Sequence, residues 1–245
     1  MAQALDFPEY CDAARGKTRV LVVDVTDRYD EADQKRFATG AVAFANKLNA
    51  GDRLEIYRLD NRPGSLRPFW ESCVPGCRDD QEPGKSMWDT SCPRVTVDRD
   101  KNEFRDAFTV RLRSVLKHDE IMGTEIIRTM SQLAREFQNR RLDQLVIFSD
   151  LIEYSSYSQA ITAFDAKHVA ELQRTLRKKL ADVPKLSQTE VIAFGHGKRL
   201  GQDSPDDNLR AKLKFDVGGQ IRRFWEWFFK EILGVKSVVV VSNYN

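Results

Sequence analysis

No apolar run in this sequence approaches the roughly 18 to 20 residues that a bilayer-spanning helix requires. The opening MAQALDFPEY has neither the basic start nor the apolar stretch of a secretion signal. The expectation is a soluble, unexported, cytoplasmic chain with no membrane partner. An excess of charge is missing too: 39 basic residues stand against 37 acidic ones, a formal net charge of +2, so no overall field draws the chain to nucleic acid. Neither G-x-S-x-G nor G-x-x-x-x-G-K-[ST] occurs, and no serine, histidine and aspartate set stands out. Of the three histidines, His118 and His168 fall near helix ends and point to no chemistry. The sequence is therefore read as non-enzymatic.

What is present is an ordinary globular composition, 41% apolar and 31% charged over 245 residues, enough for one large α/β domain with a full core. Residues 1–17 read as an irregular lead-in and residues 18–245 as a single domain with an insertion at about 60–98. The run Val20, Leu21, Val22, Val23 reads as a strand buried on both faces of a parallel sheet, and Leu145 to Phe148 as another. Arg53 to Leu59 alternates as a more exposed strand, Thr189 to Phe194 is a further buried one, and Ser237 to Val241 is the last. Asp30 is placed to cap a helix bearing Phe37, Ala41 and Phe44, and Asp100 or Asn102 to cap one bearing Phe104, Phe108 and Leu112. Thr124 can start a third helix, with Met130 and Leu133 inward. The basic run Arg174, Arg177, Lys178, Lys179 reads as the solvated face of a fourth. Val217 to Ile232 is the strongest amphipathic pattern, with Trp225 in the core and Trp227 off the stripe, toward solvent. Strands alternating with helices, without repeats, imply a doubly wound, mostly parallel sheet with helices on both faces, a Rossmann-like architecture.

Between Asp60 and Asp98 the periodicity stops, and Pro63, Pro68, Pro75, Pro83 and Pro93 interleave with Trp70 and Trp88. Long connections of this kind are often functional. Cys73, Cys77 and Cys92 lie there in a C-x3-C-x14-C spacing, which is not a strong zinc signature; structural zinc is disfavoured against free or partly oxidised thiols around a small satellite core centred on the two tryptophans.

Ligands of open α/β sheets bind at the carboxyl ends of the strands. Asp24, Thr26 and Asp27 follow the first strand there, and Ser149 and Asp150 follow Phe148. With Thr124 they form a set of oxygen donors suited to a hard cation such as magnesium. The segments Asp24-Val-Thr26-Asp27-Arg28, Gly123-Thr124 and Phe148-Ser149-Asp150 resemble, in type and order, the metal-ion-dependent adhesion site of the von Willebrand factor type A (vWA) family. That site is built from D-x-S-x-S after the first strand, a threonine in a later loop, and an aspartate after a central strand. The resemblance covers roughly Thr18 to the C-terminus and implies a vWA-like fold, magnesium held by Asp24, Thr26, Thr124 and Asp150, and a protein-interaction or scaffolding role, as in the bacterial domains of this type that accompany larger machines. Its partner rim would comprise Asp27, Arg28, Glu153, Tyr154 and His196, within the loops from Asp150 to Tyr157 and Gly195 to Arg199.

One position departs from the family pattern. Arg28 stands where the second serine would ligate the metal, and its guanidinium either takes the place of the cation through contacts to Asp24 or Asp150 or points to solvent while Asp27 or water completes the shell. The alternative function is a magnesium-dependent phosphohydrolase resembling the haloacid dehalogenases, with Asp24 as nucleophile, Ser149 on phosphate and Asp150 on the metal. Against it, Thr26 occupies the place of the second acid. A third reading, an anion or nucleic-acid binder, would use Arg174, Arg177, Lys178, Lys198 and Arg199.

Overall fold

Strand β1 (Thr18–Asp24) sends alternate side chains to opposite faces of the sheet, Val20 and Val22 into one core and Leu21 and Val23 into the other, and none of the four keeps any exposed surface. Such burial requires neighbours on both edges and helices on both faces. The computed structural model describes residues 5–12, 15–26, 29–59, 66–77, 94–116, 125–153, 155, 166–195, 198–199, 211–212 and 215–241, with 94, 166–168, 198–199, 211–212 and 215–217 by backbone alone.

The remaining strands are β2 (Arg53–Leu59), β3 (Trp70–Cys73), β4 (Gln144–Phe148), β5 (Glu190–Phe194), the two-stranded hairpin β6 (Lys198–Arg199) and β7 (Ala211–Lys212), and β8 (Ser237–Val241). The main sheet has the order β3-β2-β1-β4-β5-β8. All its pairings are parallel except β2 with β3. The order reverses direction between β1 and β4, which start crossovers to opposite sides, so the carboxyl ends of these two strands flank the crevice expected at such a switch point.

Helices α1 (Glu31–Ala45) and α2 (Arg94–Val115) cover one face, where Phe37, Phe44, Phe104 and Phe108 pack with Leu21, Ile56 and Phe148. Helices α3 (Ile126–Glu136), α4 (Ala166–Lys179) and α5 (Phe215–Trp227) cover the other, with Met130, Leu133, Leu176, Phe224 and Trp225 against Val22, Leu145 and Ile147. The sequence expectation of a doubly wound α/β sheet therefore holds. Asp30 caps α1 as expected, its Oδ1 accepting from the Asp33 amide at 2.7 Å. Helix α5 runs on through a π-helical turn, Phe228–Ile232, and Gly234 follows at φ +61°. No described helix is long and apolar enough to cross a membrane.

Several local expectations are corrected. Strand β2 does not alternate as expected: Leu54 to Tyr57 are all buried, although with Arg53 and Arg58 partly exposed it remains more exposed than β1, and β3 pairs with its outer edge. The carboxylate of Glu55, fully buried, is matched by a bidentate pair to Arg140 at 2.6 and 3.0 Å and by Arg53 at 2.9 Å. The 60–98 stretch is not structureless, since it contributes β3 and the first turn of α2. That helix begins at Arg94, so Asp100 is not its cap; it lies within the helix and accepts from the Tyr10 hydroxyl at 2.6 Å. Trp70 does not centre a satellite but packs in the main core beside Phe104 and Phe108; Trp88 lies outside the described residues. Trp227 is half-buried against Phe224, with Arg177 over its ring at 5.6 Å.

The lead-in is structured as well. Asp6 bridges to Ser72 in β3, the Trp70 indole donates to Asp6 Oδ2 at 2.7 Å, and a short 3-10 turn occupies Pro8–Tyr10. A disulfide joins Cys11 to Cys73, Cys77 is disulfide-bonded too, and no described cysteine is free, so of the expected free or partly oxidised thiols it is the oxidised state that the described residues show. Cys92 lies outside the described residues. Replacing Cys11 and Cys73 together by serine is expected to lower stability by about 2–4 kcal/mol, because the unfolded chain regains the freedom of a long loop. Urea unfolding of parent and variant checks this; an unchanged midpoint would contradict the clip.

Candidate metal and partner rim

Asp24 is the last residue of β1 and only 3% exposed. The chain turns sharply after it, and the side chain holds that turn: Oδ1 accepts from the Thr26 amide at 3.1 Å and from the Thr26 hydroxyl at 2.6 Å. Oδ2 accepts from the Ser149 hydroxyl at 2.7 Å, across the gap to the end of β4. The Tyr29 hydroxyl donates to the Asp24 carbonyl, and the Tyr29 ring packs on Phe148 with centroids 5.0 Å apart. The buried carboxylate is thus gripped by two hydroxyls and an amide.

The β4 side is held with equal care. Ser149 Oγ also accepts from the Leu151 amide at 2.9 Å, and Asp150 Oδ1 accepts from the Ile152 amide at 2.9 Å. Leu151 sits at φ +63°, a left-handed conformation disfavoured by about 1–2 kcal/mol for a residue with a Cβ. It is kept there by the Ser149 contact, by its fully buried side chain, and by the Trp225 indole, which donates to its carbonyl at 2.8 Å. Gly195, after β5, has φ +100°, and a Cβ there would come within 3.0 Å of the Ser149 carbonyl. Glycine lets the end of β5 close against the Ser149 turn.

Two residues at this edge were not picked out as structural from sequence. Ser149 is the hinge pin of the site, and Leu151 is its strained neighbour; a hydroxyl after an apolar run and a leucine two positions on carry no signal of either role. Glu153 was expected on an exposed partner rim. It is instead fully buried, with Oε2 accepting from the Ile127 amide at 3.1 Å at the start of α3. Glu125, in the N-cap position of α3, makes no capping bond, and Glu153 supplies the acceptor from a distant loop. Its Oε1 has no well-aligned partner, though the Ser155 hydroxyl and the Ile126 amide act on the carboxylate as well. Burial dominates and pushes the Glu153 carboxyl up to about 8.

Of the other expected site residues, Thr26 donates to Asp24 at the end of β1, and Asp150 follows Ser149 at the end of the neighbouring strand β4. Asp27, Arg28, Thr124, Tyr154 and His196 lie outside the described residues, as does Tyr157. Arg174, Lys178 and Lys179 are exposed on α4. Among the described residues no three histidine, cysteine or carboxylate side chains converge to hold a metal ion. The rim donors are all oxygens, carboxylate and hydroxyl, which is the chemistry of magnesium rather than of zinc. No family model and no curated protein sequence matches this chain.

Ser149→Ala leaves Asp24 Oδ2 without the hydroxyl and the Leu151 amide without its acceptor, and is expected to cost about 1–3 kcal/mol in urea unfolding. A loss below a few tenths would contradict the pinning role. Glu153 yields a pH prediction. Its folded pKa, about 8, lies above the ordinary value of 4.5, so the folded state holds the proton more tightly. The stability it contributes is complete below pH 4.5 and is lost as pH rises through 8, with a slope of up to about 1.4 kcal/mol per pH unit. Glu153→Gln is expected to flatten that slope relative to the parent.

Proposed function

We propose that the carboxyl edge of the sheet is a vWA-type protein-interaction rim at which Asp24, Thr26 and Asp150, with Thr124, hold a divalent cation that a carboxylate of a partner protein completes. The observation that carries the reading is the Ser149–Asp24 hydrogen bond, which brings the two halves of the motif, separated by over a hundred residues in sequence, to one point. Two buried carboxylates at adjacent strand ends also favour a positive charge between them. A bound metal would supply that charge and an open coordination position; Asp24, with its oxygens fixed by Thr26 and Ser149, would orient the donors. The guanidinium of Arg28 is the competing source of positive charge.

The phosphohydrolase alternative is less well supported, since an aspartate gripped at both oxygens by hydroxyls is placed for positioning rather than attack. The Cys11–Cys73 disulfide bears on compartment: such bonds persist mainly in oxidising surroundings, which favours these over the cytoplasm expected from sequence.

Calorimetric titration of metal-stripped protein with magnesium and manganese tests the reading. Saturable binding that disappears in Asp24→Ala is the expected result. Absence of binding in the parent with binding gained in Arg28→Ser would assign the charge to the arginine and make the rim metal-independent. Absence in both would overturn the metal.

A further inference from the structure

A second surface lies away from the carboxyl edge. Helices α1 and α2 cover the same face of the sheet but do not close on one another, and a groove of about 970 Å³ lies between them. Its floor is apolar, with Phe104, Phe108 and Leu112 of α2 beside Phe37 of α1. The α1 wall is made of small side chains, Ala38, Val42 and Ala45, spaced as one helical face, and Val42 is 57% exposed. Small residues on a wall allow another backbone to come close.

The charge of the groove is one-sided. Lys101, Arg105 and Arg113 line it, and among the described residues no aspartate or glutamate does; the α2 carboxylates Glu103 and Asp106 are not part of the lining. None of the three cations forms an ion pair with the described residues. With Thr109 they fall four residues apart along one side of α2, a row of about 18 Å at the rise of an α-helix. This extent decides the ligand class. A single carboxylate on an acyl chain would engage one end of the row, whereas carboxylates repeated at helical spacing along an apolar stripe would meet all of it.

We propose that the α1–α2 groove is a docking site for an acidic amphipathic helix of a partner protein, apolar residues down against Phe104, Phe108 and Val42 and glutamate or aspartate residues along Lys101, Arg105 and Arg113. The site is independent of the cation and of the carboxyl rim. The row of cations steers the partner and fixes its register, and the apolar floor supplies the burial.

The test uses the full chain and a fluorescein-labelled synthetic helix with leucine at i, i+3, i+4 and i+7 and glutamate flanking the stripe, beside the same peptide with lysine for every glutamate. Fluorescence anisotropy is expected to show saturable binding of the glutamate peptide, weakened as salt rises, and at least tenfold weaker binding of the lysine peptide. The combined variant Lys101→Glu, Arg105→Glu, Arg113→Glu is expected to reverse that preference. Val42→Glu, a change at an exposed position, is expected to lose at least tenfold while circular dichroism stays unchanged, and serves alone should the triple variant fail to fold. Equal binding of the two peptides, no saturation below about 1 mM, or an unaltered affinity in Val42→Glu would overturn the proposal. Saturable binding of sodium oleate in place of the peptide would assign the groove to a fatty carboxylate and would overturn it as well.

Discussion

The hydrogen bond from Ser149 to Asp24 joins the carboxyl ends of the two central strands, and the arrangement of the rim depends on it. On one side it fixes the carboxylate that organises the Thr26 turn; on the other it fixes the hydroxyl that receives the Leu151 amide. The left-handed Leu151 turn in turn presents its carbonyl to Trp225, so the chain of contacts runs from β1 through β4 to α5 and the aromatic core beneath it. A buried polar network of this kind stabilises only if each member is satisfied, and it then specifies one arrangement of the turns it joins.

The same logic of satisfied polar groups recurs at the opposite edge. Arg19, nearly buried, donates to Asp52 at 2.7 Å and to Gln144 at 2.8 Å, linking the starts of β1 and β4 to the turn before β2. Glu55 sits between Arg140 and Arg53. The amino edge carries cation–carboxylate pairs, and at the carboxyl edge the Thr26 and Ser149 hydroxyls and the Thr26 amide donate to Asp24.

Much of the fold was legible because burial on both faces leaves a continuous apolar run, as at Val20 to Val23 and Leu145 to Phe148, and because the α1 and α5 stripes repeat at helical period. What escaped was short or long-range. Strand β3 has four residues between prolines and owes its strand state to pairing with β2, which no local pattern announces. The pairing of Cys11 with Cys73 spans 62 residues and cannot be deduced from spacing. At the site, Asp24, Thr26 and Asp150 were legible as acids and a hydroxyl at strand ends. The capping role of Glu153 was not, since the amide it accepts from, that of Ile127, lies 26 residues earlier in the chain.

The most direct measurement is the anomalous scattering of manganese from crystals grown with that ion. The account requires a single strong peak at the carboxyl edge, within coordinating distance of Thr26 Oγ1 or a carboxylate oxygen of Asp24 or Asp150. A peak absent from that edge, with the Arg28 guanidinium lying between Asp24 and Asp150 instead, would contradict the metal-dependent rim.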